Sequence, residues 1–212
     1  MGKTILLILF AYILFSALDF INIEGRRKNE SVVPDTKNKK EEKELEDSVL
    51  GEEKIFRLIL RSARDLSAKE ALQLARLIQE ECSNYEKIDP LLILAIIEVE
   101  SRFSPRAVSP KGAIGLMQIT PETMQLVVQQ AGILTNTPGS LFDPLINLSV
   151  GINYLALLLK RFENIELALL AYNYGPTRSL KIMQRKTTFP VYVRKVLELR
   201  EKFKMNHLGD KL

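Results

Sequence analysis

Among the side chains in this sequence that could move a proton, Glu100 has the most unusual setting. It closes an apolar run of Leu91, Leu92, Ile93, Leu94, Ala95, Ile96, Ile97 and Val99, and is followed by Ser101, Phe103, Pro105 and a glycine-bearing turn. A carboxyl group at the end of so apolar a helix is partly desolvated, which raises its pKa and lets it hold a proton near neutral pH. That is the behaviour of a general acid. The plainer alternative is that Glu100 is simply the first solvated residue past a buried helix. Other acids nearby have ordinary explanations. Glu98, two positions earlier, falls on roughly the opposite side of the helix. Glu122 sits at a helix start, where a negative charge suits the dipole, and Asp143 precedes Pro144 as a cap.

Several chemistries are excluded by what the chain lacks. Of 212 residues only Cys82 is a cysteine and only His207, in a charged tail, is a histidine. An internal disulfide is therefore excluded, and with the one histidine in that tail a His/Cys metal cluster, a Cys-His pair and a Ser-His-Asp triad are removed from consideration. Cys82 reads as a small buried helix residue, and no metal or organic cofactor is indicated. The net charge is +4, and from Tyr85 onward there are 16 Lys and Arg against 11 Asp and Glu. A basic surface suits an anionic polymer: nucleic acid, a lipid surface or cell-wall glycan with its peptide carboxylates. The aromatic-basic interleaving of a nucleic-acid module is missing, so nucleic acid is set aside.

The elements that must position Glu100 follow from the pattern of the chain. Residues 1–23 begin with Lys3 and run nearly without polar interruption from Ile5 to Leu18, as a secretory segment or a short membrane span does. Ser16-Ala17-Leu18 is a poor cleavage site and no lipoprotein cysteine follows, which favours an uncleaved anchor over residues 4–23. Arg26, Arg27 and Lys28 after the span, against Lys3 before it, argue by charge alone for a domain kept inside. Residues 24–53 are rich in Lys, Glu, Asp and Asn and cannot bury enough surface to order themselves. As a flexible tether they would span on the order of 30 Å.

From Lys54 the apolar spacing becomes helical, giving a scaffold over 54–84 in which Ser67-x-x-Glu70 is a capping box. Asp89-Pro90 starts the Glu100 helix. Phe103 to Gly115 is loop, broken by Pro105, Pro110, Gly112 and Gly115. Leu116 to Ile119 is expected at a cleft floor, with Thr120 capping the next helix. Asp143-Pro144 opens a helix through Asn147, Gly151 and Tyr154. Another helix spans Glu166 to Tyr172, and a last amphipathic one runs from about Pro190 to Phe203, ahead of a polar tail at 205–212. No β alternation is convincing, so the domain over 85–204 reads as all-α.

Three motifs stand in fixed order: Glu100-Ser101-x-Phe103-x-Pro105; Ser109-Pro110-x-Gly112-Ala113-x-Gly115-Leu116-Met117-Gln118-Ile119-x-Pro121-x-Thr123; and Ala171-Tyr172-Asn173-x-Gly175-Pro176. Together, over about Leu66 to Lys202, they resemble the soluble lytic transglycosylase (SLT) family. The resemblance implies a lysozyme-like fold, a location in the cell envelope outside the cytoplasm, and peptidoglycan glycan strands as partner, with an envelope protein complex as a possible further one. It also implies that Glu100 acts alone, first as acid and then as base. Glycoside cleavage ordinarily needs two carboxylates, but here the substrate's own acetamido and C6 hydroxyl groups would supply the rest. By motif position Ser109, Gln118 and Tyr172 would contact the substrate, and Tyr172 would also orient the Glu100 carboxyl. Met117 and Phe103 would form apolar walls. Tyr192 either lines the cleft, as the resemblance implies, or packs in the core. Ser101 is read as a local cap, and Asn173 and Gly175 as turn formers. A water-using muramidase and a catalytically silent glycan-binding module remain the alternatives. The chain departs from common saccharide clefts in having no tryptophan.

Overall fold

A computed structural model describes residues 51–131, 138–185 and 188–206, all within one compact unit. The expected anchor over 1–23, the tether up to residue 50, and the tail from His207 lie outside the described residues. Residues 51–53, read above as the end of the tether, are already helical.

Helix α1 covers 51–62 and buries Ile55, Leu58 and Ile59 along one face. Helix α2 (Ala68–Ser83) starts at the capping box anticipated from sequence. Ser67 Oγ accepts from the Glu70 N–H, and the Glu70 carboxylate accepts in return from the Ser67 N–H at 2.8 Å. Its buried stripe, Ala71, Leu74, Ala75, Ile78 and Cys82, has helical period. Burial pushes the Cys82 thiol up to about 12, which leaves it a packing residue.

Helix α3 (Pro90–Ser101) is different in kind, because every residue from Leu92 to Ile97 is buried all round. Such a helix has no wet face and belongs in the centre of a core. At roughly 1.5–3 kcal/mol for each large aliphatic side chain buried, it is the chain's most apolar investment. Asp89 caps its start, accepting from the Leu92 N–H at 3.0 Å, and also pairs with Arg200. Helix α4 (Pro121–Ala131) is capped by Thr120, whose Oγ1 accepts from the Thr123 N–H. A 3-10 turn (Pro138–Phe142) leads to α5 (Pro144–Phe162), capped by Asp143. Length and apolarity alone would let α5 cross a membrane, but half of it is buried within the domain and it is the central strut, touching α2, α4 and the next helix.

Helix α6 (Ile165–Tyr174), capped by Asn164, carries Tyr172. Helix α7 (Pro176–Arg185) was not anticipated: its only buried face is narrow, Ser179 with Ile182 and Met183 beside it, and the rest is polar. Helix α8 (Val191–Asn206) packs along α3 and also touches α6. The described residues contain no strands, only isolated bridges joining Val108 to Ile114 and Ile114 to Ile119. The all-α expectation holds.

Replacing Asp89 with Ala removes the α3 cap and should cost about 1–2 kcal/mol. Its ion pair with Arg200, partly open to solvent, adds little to that. A shift in urea midpoint without change in slope would register the loss; an unchanged midpoint would show that the cap is dispensable.

Candidate active site

The site is built on a turn buried inside the domain. Ile114 and Ile119 exchange both backbone hydrogen bonds at 2.9 Å and pinch off Gly115 to Gln118, and the Gln118 N–H closes onto Gly115 O. Leu116 and Met117 at its tip have no exposed surface. Backbone so placed loses water and must find other partners. Three side chains from three helices provide them. Asn147 of α5, itself fully buried, accepts from the Met117 N–H at 2.8 Å and donates to Ile114 O and Leu141 O. Ser101, the last residue of α3, donates to Leu116 O at 2.8 Å. Tyr172 of α6 donates to Met117 O, also at 2.8 Å.

Two glycines make room. Gly115 has φ +78°, and a Cβ there would collide with the Asn147 amide. A Cβ on Gly151 would strike the Met117 sulfur. Directly after α3 the chain reverses through Arg102 and Phe103, both at positive φ, an uncommon conformation for bulky residues. Phe103 drops into the core.

Glu100 stands one residue before the Ser101 anchor and is largely buried. Burial raises its carboxyl to a pKa of about 7, and a hydrogen bond from Tyr192 opposes part of the rise. That bond runs from Tyr192 Oη to Glu100 Oε1 at 2.7 Å, across from the first turn of α8. Oε2 has no partner among the described residues. No other charged side chain contributes to the shift. Both tyrosines keep their protons: burial, and then the nearness of Glu100, pushes each phenol well above its ordinary range. Tyr172 stacks at a tilt on Tyr154, with ring centroids 5.4 Å apart.

The structure brings most of the expected residues together but redistributes their tasks. Tyr192, not Tyr172, holds the Glu100 carboxyl, because the Tyr172 hydroxyl is committed to Met117 O. Met117 is corrected as well. Its side chain lies wholly inside, wedged against Gly151, and supports the turn from behind. Ser101 does more than end a helix, since it ties α3 to the turn. Gln118, at φ +50°, spends both amide hydrogens on Ala107 O and Gly115 O, which leaves its carbonyl oxygen as the free polar atom. Ser109 Oγ accepts from the Ala113 and Lys111 N–H groups and retains its own proton to donate. Asn173 is an exposed residue of α6 rather than a turn former, whereas Gly175, at φ +80°, ends that helix. Glu122 is fully exposed, and its carboxyl is lowered by its own backbone N–H and by Thr120, as befits a helix start. Asn147 was passed over in the sequence; its one signal is an amide inside an otherwise apolar helical stripe. Among the described residues no group of three His, Cys, Asp or Glu is placed to hold a metal.

An all-α domain with a buried, protonatable glutamate at a helix end defines the lysozyme-like class. A family model, the transglycosylase SLT domain, matches residues 76–192. The chain belongs to that family. It is 40% identical over 87 residues to the soluble lytic murein transglycosylase of Escherichia coli K12, a match covering 40% of this chain and 14% of that protein. It is 34% identical over 134 residues to the membrane-bound lytic murein transglycosylase E of Buchnera aphidicola subsp. Baizongia pistaciae, covering 58% of this chain and 62% of the relative. In structure it resembles an inactive mutant of the lytic transglycosylase Slt from Pseudomonas aeruginosa, with a TM-score of 0.56 and 27% identity over 62% of this chain and 24% of that one. The chain thus matches only a small part of the larger soluble relatives.

Two outcomes follow. Replacing Asn147 with Ala strands the Met117 N–H and the Leu141 carbonyl inside the core and should cost roughly 2–4 kcal/mol in chemical denaturation; a loss below about 1 kcal/mol would mean that the turn finds other partners. Glu100→Gln should do the reverse. Between the ordinary carboxyl value of 4.5 and about 7 the folded protein keeps a proton that the unfolded chain releases. Wild-type stability therefore falls as pH rises through that window and stays low above it, so the amide should stabilise by on the order of 1–3 kcal/mol at about pH 8 and by little at about pH 4. A stability difference independent of pH would refute the desolvated acid.

Proposed function

We propose that this protein is a peptidoglycan lytic transglycosylase, cleaving the β-1,4 bond between N-acetylmuramic acid and N-acetylglucosamine with Glu100 as its single acid and base. The observation that carries this is a protonatable carboxyl with one oxygen held by Tyr192 and, among the described residues, no partner on the other and no second carboxylate acting on it. Family membership and the names of its relatives supply the substrate class.

Glu100 donates its proton to the glycosidic oxygen as the bond to the muramyl anomeric carbon breaks. The muramyl 2-acetamido oxygen supports the developing cation. The sugar's C6 hydroxyl oxygen then bonds to the anomeric carbon, and its proton passes to Glu100, which restores the acid. A 1,6-anhydro ring results and water is not consumed. A group that first gives and then takes a proton works best with a pKa near the ambient pH. Gln118, with its free carbonyl oxygen, accepts from a sugar hydroxyl or an acetamido N–H, and Ser109 donates to one. Tyr192 holds the carboxyl, and Tyr172 lies near it with its hydroxyl committed to Met117 O. The natural setting for this activity is the cell envelope outside the cytoplasm, with residues 4–23 as anchor in the inner membrane.

Incubation with purified peptidoglycan, followed by mass spectrometry of the released fragments, should find products lighter by one water and lacking a reducible end. Glu100→Gln should release none. Products with ordinary reducing ends would identify a hydrolase and overturn the single-acid scheme.

A further inference from the structure

On the side of α5 turned away from the buried turn lies a polar cluster that the site does not use. Glu81 of α2 accepts from Ser149 Oγ at 2.7 Å with one carboxylate oxygen, and from the Asn153 amide at 3.3 Å with the other. The Asn153 amide also donates to Ser149 O, and its Oδ1 accepts from the Tyr85 hydroxyl at 2.9 Å. All four residues are half-buried. Burial, and then the nearness of Glu81, raises the Tyr85 phenol above its ordinary range, so it keeps the proton it donates.

Helix α5 therefore has two polar sides. Asn147 and Gly151 meet the turn, while Ser149 and Asn153 meet Glu81. Residues two apart on a helix are about 200° around from each other, so the two pairs lie on opposite sides. Apolar packing of α2 on α5 tolerates some sliding. A carboxylate gripped by donors four positions apart on one helix does not, because both bonds are directional. The side facing the turn has little slack. Asn147 meets Met117 N–H, Ile114 O and Leu141 O at 2.8, 2.8 and 2.9 Å, and a Cβ on Gly151 would stand 2.3 Å from the Met117 sulfur. Sliding α5 by about 0.7 Å would carry those hydrogen bonds to the limit of useful geometry. Tyr85 adds a second tie. It lies in the connection from α2 to α3, four residues before the Asp89 cap, so the same cluster joins the start of the Glu100 helix to α5.

We infer that Glu81 is a positioning residue for the candidate active site: by gripping Ser149 and Asn153 it sets the rotation and axial position of α5, and so keeps Asn147 on the buried turn that carries Gln118. Its effect on cleavage rests on the peptidoglycan reading above. Its effect on the turn does not.

The test is hydrogen exchange resolved to single amides on the full chain, comparing wild type with Glu81→Ala. The Met117 amide, which Asn147 holds, should lose about tenfold more protection than the amide of Val196, buried on α8 and remote from the cluster. Ser149→Ala removes one of the two bonds and should show the same pattern at smaller amplitude, which keeps the test open if the larger change harms folding. Glu81→Gln, which retains one carbonyl oxygen, should restore part of the protection. On purified peptidoglycan kcat/KM of Glu81→Ala should fall about tenfold, through KM more than kcat, because Gln118 rides on the turn while Glu100 is held by Tyr192. Equal losses of protection at Met117 and Val196, or none at Met117, would overturn the inference, since the cluster would then serve stability alone. Selective exposure of Met117 with no cleavage by any form, wild type included, would support the clamp and fault only the enzymatic reading.

Discussion

A turn that buries its tip must replace every hydrogen bond its backbone gave up to water. Leu116 and Met117 pose that demand in the middle of this domain, and the answer organises the fold around them. Asn147, Ser101 and Tyr172 come from α5, α3 and α6, so satisfying one short stretch of backbone fixes three helices relative to each other. Asn147 is the most exacting of the three. Its single amide meets one N–H and two carbonyls, using donor and acceptor at once, and only Gly115 lets the chain come close enough. Aspartate would face two carbonyls without a donor, and leucine would leave the Met117 N–H and Leu141 O stranded.

The acid inherits its environment from that arrangement. Because Ser101 is bound to the buried turn, Glu100 cannot swing out at the end of α3 as a terminal helix residue ordinarily would. The chain then reverses through Arg102 and Phe103, and Phe103 is buried in the core. Non-glycine residues at positive φ cost on the order of 1–3 kcal/mol each and persist only where surrounding contacts insist on them. Positive φ at Arg102 and Phe103, buried backbone at Leu116 and Met117 and a desolvated acid each lower stability in return for a site with a fixed shape.

Much of this was legible in the sequence where the controlling interaction is local. The capping box at Ser67, the caps at Asp89, Thr120 and Asp143, and the continuous apolar run of α3 each announce themselves within a few residues. Glu100 was marked by its own neighbours. What could not be read was partnership across distance. Tyr172 and Tyr192 are both tyrosines near the end of the chain, and nothing within a few residues of either says which hydroxyl meets Glu100 and which meets Met117 O. Met117 lay in a motif expected to face the cleft, yet a turn pinched at Ile114 and Ile119 can point its tip inward as readily as outward, and the space opened by Gly151 on a separate helix decides it. Helix α7 escaped because most of its surface is polar and its apolar contact is only a few residues wide.

The division of labour between the two tyrosines has a chemical consequence. Had both hydroxyls pointed at Glu100, each would have favoured the carboxylate, and together they would have drawn its pKa back toward the ordinary range. A carboxyl so stabilised would be a poor acid at neutral pH and, with both oxygens occupied, a poor base afterwards. With Tyr172 committed to Met117 O, a single bond from Tyr192 offsets only part of the rise that burial causes, and the carboxyl stands at about 7. One oxygen is then anchored and the other is free to face a sugar. The backbone demand of a buried turn, by claiming Tyr172, is thus what leaves Glu100 able to hold a proton and to part with it.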